Sequence, residues 1–229
     1  MRIAIISSPR CGNTFLRLTL SRILDIDSGA YHKPDDIPKN LPKNFILQIH
    51  WMPEKFFFGY LNSEKFKIIT LSRHPLDIFV SVLRFSKFEK QVENWLSGSL
   101  EIVHEKFKKM DFSSDKFLDW CKSEYSKKLL DISFQWSKNE VIQIKYEDLI
   151  ENTENVISGL LKLIDNEIEI NPVKIRRSIE YYNLEYFKEL PNSHGWKGKA
   201  GNWKNYINLK EGKKILKYHE QYCKRFNYT

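Results

Sequence analysis

Apolar residues open the chain as an unbroken run. Ile3 to Ile6 in RIAIIS are apolar on both faces, the pattern of a strand covered from both sides, as parallel strands in α/β proteins are. From Thr14 the spacing changes. Phe15, Leu16, Leu20, Ile23 and Leu24 recur at helical intervals and predict a helix to Leu24 with one buried face. Three prolines interrupt YHKPDDIPKNLPKN, so Tyr31 to Asn44 reads as loop. FILQI and KIITLS repeat the strand pattern, and the second runs into RHP, with Pro75 suited to the first turn of a helix. VIQIKYEDL predicts a fourth strand that runs into a turn, and Ile150 to Ile164 a helix. Asn171 is the expected cap of a further helix with Pro172 at its first position, and Lys210 to Phe226 the expected C-terminal helix.

Strands alternating with helices predict a three-layer α/β/α arrangement around a central parallel sheet. The 229 residues suit one domain, 1–229. Within it Lys90 to Lys138 carries no strand pattern and reads as a helical excursion anchored by Trp95, Phe107, Phe117, Trp120, Phe134 and Trp136. Ligands of such sheets bind beyond the carboxyl ends of the strands. The loops after IAIIS, FILQI, KIITLS and VIQIKY are therefore the places to look for chemistry.

Charge narrows the partner. The formal net charge is +8, and between Trp196 and Thr229 nine Lys or Arg face only Glu211 and Glu220. That excess implies an anionic partner, or a solvated helix face over Lys210 to Arg225. Cys11, Cys121 and Cys223 are odd in number and form no CxxC pair, which points away from a disulfide framework and towards a reducing, cytoplasmic setting. No metal-ligand spacing, signal peptide or membrane-length apolar run is visible, so neither a metal nor a membrane is expected.

Three stretches carry candidate chemistry. SPRCGNTFLR lies between a strand and a helix. Gly12 allows a tight turn, the first amides of the helix form an anion site, Arg10 adds a charge and Thr14 a hydroxyl. It is not a Walker A sequence, because no Lys-Ser/Thr pair follows the glycine. In SRHPLDIFVSVLRF, Arg73 follows a strand and Ser81 sits in the next helix, placed to share a second phosphate. GWKGKAGNWKNY is glycine-rich, basic and flanked by Trp196 and Trp203; it suits a loop folding over a nucleotide, or one near single-stranded nucleic acid. His50 ends the strand FILQI on the side where Arg10 and Arg73 converge, and an imidazole there titrates in a range that suits proton transfer.

In order and spacing these stretches resemble the sulfotransferases that use 3′-phosphoadenosine-5′-phosphosulfate (PAPS). PRCGNTFL is similar to the family's 5′-phosphosulfate loop, SRHPLDIFVSVLRF to its 3′-phosphate motif and WKGKAGNWK to its late loop. The resemblance implies a P-loop-like nucleotide-binding fold and transfer of a sulfuryl group to a hydroxyl or amine. It implies that Arg10, Cys11, Gly12, Asn13 and Thr14 hold the 5′-phosphate and sulfuryl group, with Arg10 neutralising the leaving oxygen. It further implies that Phe15 stacks on adenine and that Tyr146 approaches it. Arg73, Ser81, Trp196, Lys197 and Gly198 belong to the 3′-phosphate side, and His50 is the general base.

There are departures from the family pattern. Gln48 stands where the family has Lys, which removes a charge near the sulfuryl group, and Trp196 replaces an Arg of the late loop. The family's dimer signature is poorly kept, with Asn208, Leu209 and Lys213 at its defining positions, so that dimer is not predicted. The expected acceptor is a small molecule such as a secondary metabolite, with no nucleic-acid partner. A nucleotide-dependent kinase and a basic nucleic-acid-binding module are the alternatives.

Overall fold

A computed structural model of the chain describes residues 1–88, 109–190 and 198–228. Its centre is a five-stranded parallel sheet formed by β1 (Arg2–Ile6), β2 (Asp27–Tyr31), β3 (Phe45–Ile49), β4 (Phe66–Ser72) and β5 (Ile142–Lys145), in the order β2-β3-β1-β4-β5. Helices cover both faces because the strand residues alternate between two cores. Ile3, Ile5, Ile46, Ile69 and Leu71 pack on one face, against α1 (Asn13–Leu24) and α3 (Pro75–Phe88). Ala4, Ile6, Leu47, Ile49 and Ile68 pack on the other, against Phe57 and Leu61 of α2 (Lys55–Ser63).

The region expected to be a helical excursion supplies α4 (Asp115–Trp120) and α5 (Glu124–Trp136); the stretch 89–108 lies outside the described residues. Ser114 and Ser123 cap these two helices, accepting from Phe117 N and Ser126 N. Trp136 at the end of α5 is fully buried and donates its indole N–H to Trp51 O at 2.6 Å. The chain then continues through α6 (Tyr146–Glu151), α7 (Thr153–Ile164), α8 (Pro172–Tyr181), α9 (Leu184–Glu189), α10 (Leu209–Tyr218) and α11 (Glu220–Phe226).

The expected arrangement is correct, with three differences of detail. Strand β2 was not anticipated: DSGAY lacks an apolar run and becomes a strand by pairing with β3, Asp27 opposite Phe45 through Tyr31 opposite Ile49. The expected helix from Ile150 is two helices, and the first already begins at Tyr146, so β5 is only four residues long. The expected C-terminal helix divides at His219, whose backbone ends α10 and whose ring faces Cys121 O at 2.8 Å.

Strand order places the candidate chemistry. β1 lies between β3 and β4, so the loops leaving β1 and β4 open side by side at the carboxyl edge. This is a switch point of the sheet, where such folds hold ligands.

Candidate functional site

The β1–α1 loop is shaped by its own side chains. Ser7 donates its hydroxyl to Asn13 Oδ1, and Asn13 Nδ2 donates to Ser8 O at 3.1 Å. The loop is also fixed to α5: Ser8 N donates to Ser133 Oγ at 2.7 Å, and Ser133 Oγ donates to Leu71 O at 2.6 Å. Arg10 and Gly12 both take left-handed backbone, φ 65° and 92°. Gly12 is required twice over, since a Cβ there would meet Tyr146 Cδ2 at 2.9 Å. Helix α1 begins after Gly12 with no side-chain cap and no acidic residue in its first turn. Its first amides and the positive end of its dipole are left for an anion.

Around this loop a cavity of about 440 Å³ brings together Arg10, Gly12, Asn13, Thr14, Phe15, His50, Arg73, Ser81, Tyr146 and Gly198. Arg10 Nε donates to Ser81 Oγ at 3.0 Å, and its guanidinium lies 4.6 Å from the centre of the Phe85 ring. Burial, then Arg73 and Arg84, push the Arg10 pKa down to about 10, so it stays charged at neutral pH. Arg73 donates through Nη1 to Arg10 O at 2.7 Å and rests 4.1 Å over the Tyr146 ring. Its Nε is buried without a hydrogen-bond partner among the described residues. The Tyr146 ring is thus held between Gly12 and the Arg73 guanidinium.

His50 lines the same cavity. The register that sets Ile6 beside Ile49 brings Ser7 beside His50, and His50 Nδ1 lies 2.7 Å from Ser7 O. A carbonyl only accepts, so Nδ1 carries the proton and Nε2 keeps its lone pair. Burial pushes the His50 pKa down to about 4, with the Ser7 carbonyl opposing and His32 and Arg10 adding to the fall. The ring is neutral at physiological pH.

Two expected residues behave differently. Cys11 turns its side chain into the core, fully buried, and takes no part in lining the cavity; burial raises its thiol to about 12. Only its backbone can meet a ligand. Asn13 reaches the cavity, but its side-chain amide is bonded within the loop. Trp196 and Lys197 lie outside the described residues.

Other residues of the site escaped the reading of the sequence. Ile150, Ile179, Tyr182, Leu184 and Phe187 form an apolar wall with Phe15, whose ring meets Phe187 edge-on at 6.3 Å. Their only signal was the aromatic cluster YYNLEYF. Buried Asp77 at the start of α3 accepts from Gly201 N at 2.7 Å and Trp203 N at 2.9 Å, and so pins the late loop beside the cavity. Trp203 itself stacks on His74 at 5.4 Å, so His74 serves packing.

Known proteins share this architecture. The chain is 25% identical over 203 residues to mouse Sulfotransferase 1 family member D1, covering 81% of the chain and 63% of the relative. It is 23% identical over 230 residues to human Sulfotransferase 6B1, covering 89% of the chain and 70% of the relative. The chain thus spans under two-thirds of the mouse protein's length. Among solved structures, mouse sulfotransferase SULT7A1 complexed with PAP superposes with a TM-score of 0.71 at 18% identity, over 97% of this chain and 83% of that one. Retinol dehydratase in a complex with retinol and PAP gives 0.64 at 16%, over 98% and 82%. Since the sulfotransferase domain model matches residues 20–227, the chain belongs to the sulfotransferase family.

Proposed function

We propose that the chain transfers the sulfuryl group of PAPS to a hydroxyl or amine of a small-molecule acceptor, with His50 as general base. The carrying observation is the His50 Nδ1 bond to Ser7 O, which fixes the tautomer of a neutral imidazole that lines the same cavity as two guanidiniums. The residues fit such a bisphosphorylated nucleotide: among the described residues Arg73 Nε is buried with no hydrogen-bond partner, and α1 opens at the cavity with no side-chain cap and no acidic residue in its first turn. PAPS supplies the activated sulfuryl group on a 5′-phosphate leaving group.

In this reading Arg10, Thr14 and the first amides of α1 hold the 5′-phosphate end, and Arg10 neutralises the leaving oxygen. Arg73 and Ser81, with Lys197 and Gly198 of the late loop, hold the 3′-phosphate. Phe15, Tyr182, Leu184 and Phe187 take the adenine, and Tyr146 serves as the platform for Arg73. His50 Nε2 accepts the acceptor's proton as the acceptor attacks. An anion bound nearby raises the basicity of the imidazole, so His50 gains strength when the site is loaded.

A small-molecule acceptor, of the secondary-metabolite kind, is supported by the retinol and androsterone held in structures of the same fold. Among the described residues no helix is long and apolar enough to cross a membrane, and all three cysteines are free and buried, which supports a cytoplasmic setting. Asn208, at a dimer-signature position, caps α10 by accepting from Glu211 N at 2.9 Å.

The test is a thermal-shift comparison of the product nucleotide PAP, AMP and ATP with Mg²⁺. PAP at a hundredfold its dissociation constant adds about 2.7 kcal/mol of apparent stability. A larger shift with ATP and Mg²⁺ refutes the 3′-phosphate assignment and favours the kinase alternative. His50→Ala is expected to keep the PAP shift and lose turnover; retained turnover removes the base assignment.

A further inference from the structure

Gln48 and Arg17 are joined in a way that the site described so far does not use. Gln48 lies on β3, two residues before His50, and is 4% exposed at the cavity wall. Arg17 lies on α1 one turn after Thr14, on the same helix face. Arg17 Nε donates to Gln48 Oε1 at 3.0 Å, and Nη1 donates to Ser28 Oγ on β2 at 2.8 Å. On its other side, Gln48 Nε2 is 3.5 Å from Thr14 Oγ1.

A guanidinium has donors only, so it settles which way the Gln48 amide faces. The carbonyl oxygen turns back to Arg17, and the NH₂ turns forward to Thr14 and the cavity. A glutamine released from that hold is free to flip and present its oxygen instead, which an anion repels. The cation behind the amide also polarises it, strengthening its forward N–H donors. Burial lowers the Arg17 pKa, with Tyr182, Tyr186 and Tyr31 opposing, and no carboxylate among the described residues pairs with it. A partly buried cation spent on a neutral amide and a serine has its reward where negative charge gathers.

We propose that Arg17 is a positioning residue for sulfuryl transfer: it locks the Gln48 side chain as a hydrogen-bond donor to the group in transit, and so restores through α1 the positive character that β3 lacks at this position. This rests on the sulfotransferase reading above.

The experiment compares the wild-type chain, Arg17→Met and Arg17→Met/Gln48→Lys. Methionine keeps much of the apolar stem and removes the charge. Turnover is followed as PAP released from PAPS, with 2-naphthol or water as acceptor, and binding as the PAP-induced thermal shift. Arg17→Met is expected to lower kcat at least about tenfold with the PAP shift kept, since loss of a single transition-state donor is known to cost about that or more. Gln48→Lys added to it places the cation on residue 48 itself and is expected to recover most of the lost rate. In the free chain, the Gln48 side-chain NH₂ signals are expected to be exchange-protected in wild type and to lose that protection in Arg17→Met. An unchanged kcat in Arg17→Met, no recovery in the double variant, or identical NH₂ protection overturns the proposal, because a mere structural tie between α1 and β2 gives no rescue. A wild-type chain that neither shifts with PAP nor releases it from PAPS overturns the sulfotransferase reading itself.

Discussion

Replacing Gly12 with Ala puts one methyl group where the site has least room. The backbone there has φ 92°, and a left-handed residue with a Cβ costs about 1–2 kcal/mol. The new Cβ would lie 2.9 Å from Tyr146 Cδ2 and 3.2 Å from Cε2, so the ring must move. Tyr146 is 8% exposed and bears the Arg73 guanidinium 4.1 Å from its centre, so a shift of the ring either displaces Arg73 or intrudes on the cavity that both line. Overpacking of that kind adds roughly 1–3 kcal/mol. Together they predict a loss of about 2–5 kcal/mol, or roughly 4–20 °C in Tm for a chain of this size. Displaced Arg73 also predicts PAP binding weaker by at least about tenfold. The control is Gly59→Ala in α2, where a Cβ meets nothing within 4 Å. There alanine is expected to stabilise by up to about 1 kcal/mol. Differential scanning fluorimetry and PAP titration of both variants decide the matter. A Gly12→Ala chain with wild-type Tm and wild-type PAP affinity refutes the argument that loop shape and Arg73 depend on this glycine.

Other outcomes follow from the same geometry. Asp77→Ala leaves the amides of Gly201 and Trp203 without their carboxylate and is expected to lower stability by about 2–3 kcal/mol and loosen PAP binding, read by urea unfolding and titration. His50 and His74 both have folded pKa values near 4, lowered chiefly by burial, against about 6.5 for a free imidazole. Between these values the unfolded chain binds more protons, so stability is complete above about pH 6.5 and falls as pH drops towards 4, by on the order of 2–3 kcal/mol per histidine. Urea midpoints at pH 7 and pH 5 test this; equal midpoints contradict it. Burial raises the thiols of Cys11, to about 12, and of Cys223, to about 11, and all three cysteines are buried. A thiol reagent is therefore expected to titrate none of them in the native chain and all of them in urea, and fast native labelling refutes the packing of Cys11.

Local signals were legible and distant ones were not. β1, β3 and β4 announce themselves because each carries a short apolar run, as double-sided burial demands. β2 is an edge strand with Asp27, Ser28 and Gly29 in it, and only β3 beside it makes it a strand. The loop, His50 and Arg73 could be found because each lies directly at a strand end. Asp77, Arg17 and the wall from Tyr182 to Phe187 could not, because their roles arise where separate elements meet. The place of Cys11 in the loop is visible in the sequence, but the direction of its side chain depends on the core beneath.

The bolt between Ser8 and Ser133 bears on how this family could be re-engineered. The connection between β4 and β5 looks like an exchangeable cassette, since it is long and joins neighbouring strands. Yet Ser133, within that connection, receives the amide of Ser8 and donates to the end of β4, while Ser8 Oγ donates to Leu130 O at 3.2 Å. A chimera that swaps in a foreign β4–β5 segment therefore also replaces the mould in which the anion loop is cast. The shape of the anion loop thus travels with that segment unless the graft keeps a serine at the position of Ser133 and the helical backbone path at that of Leu130.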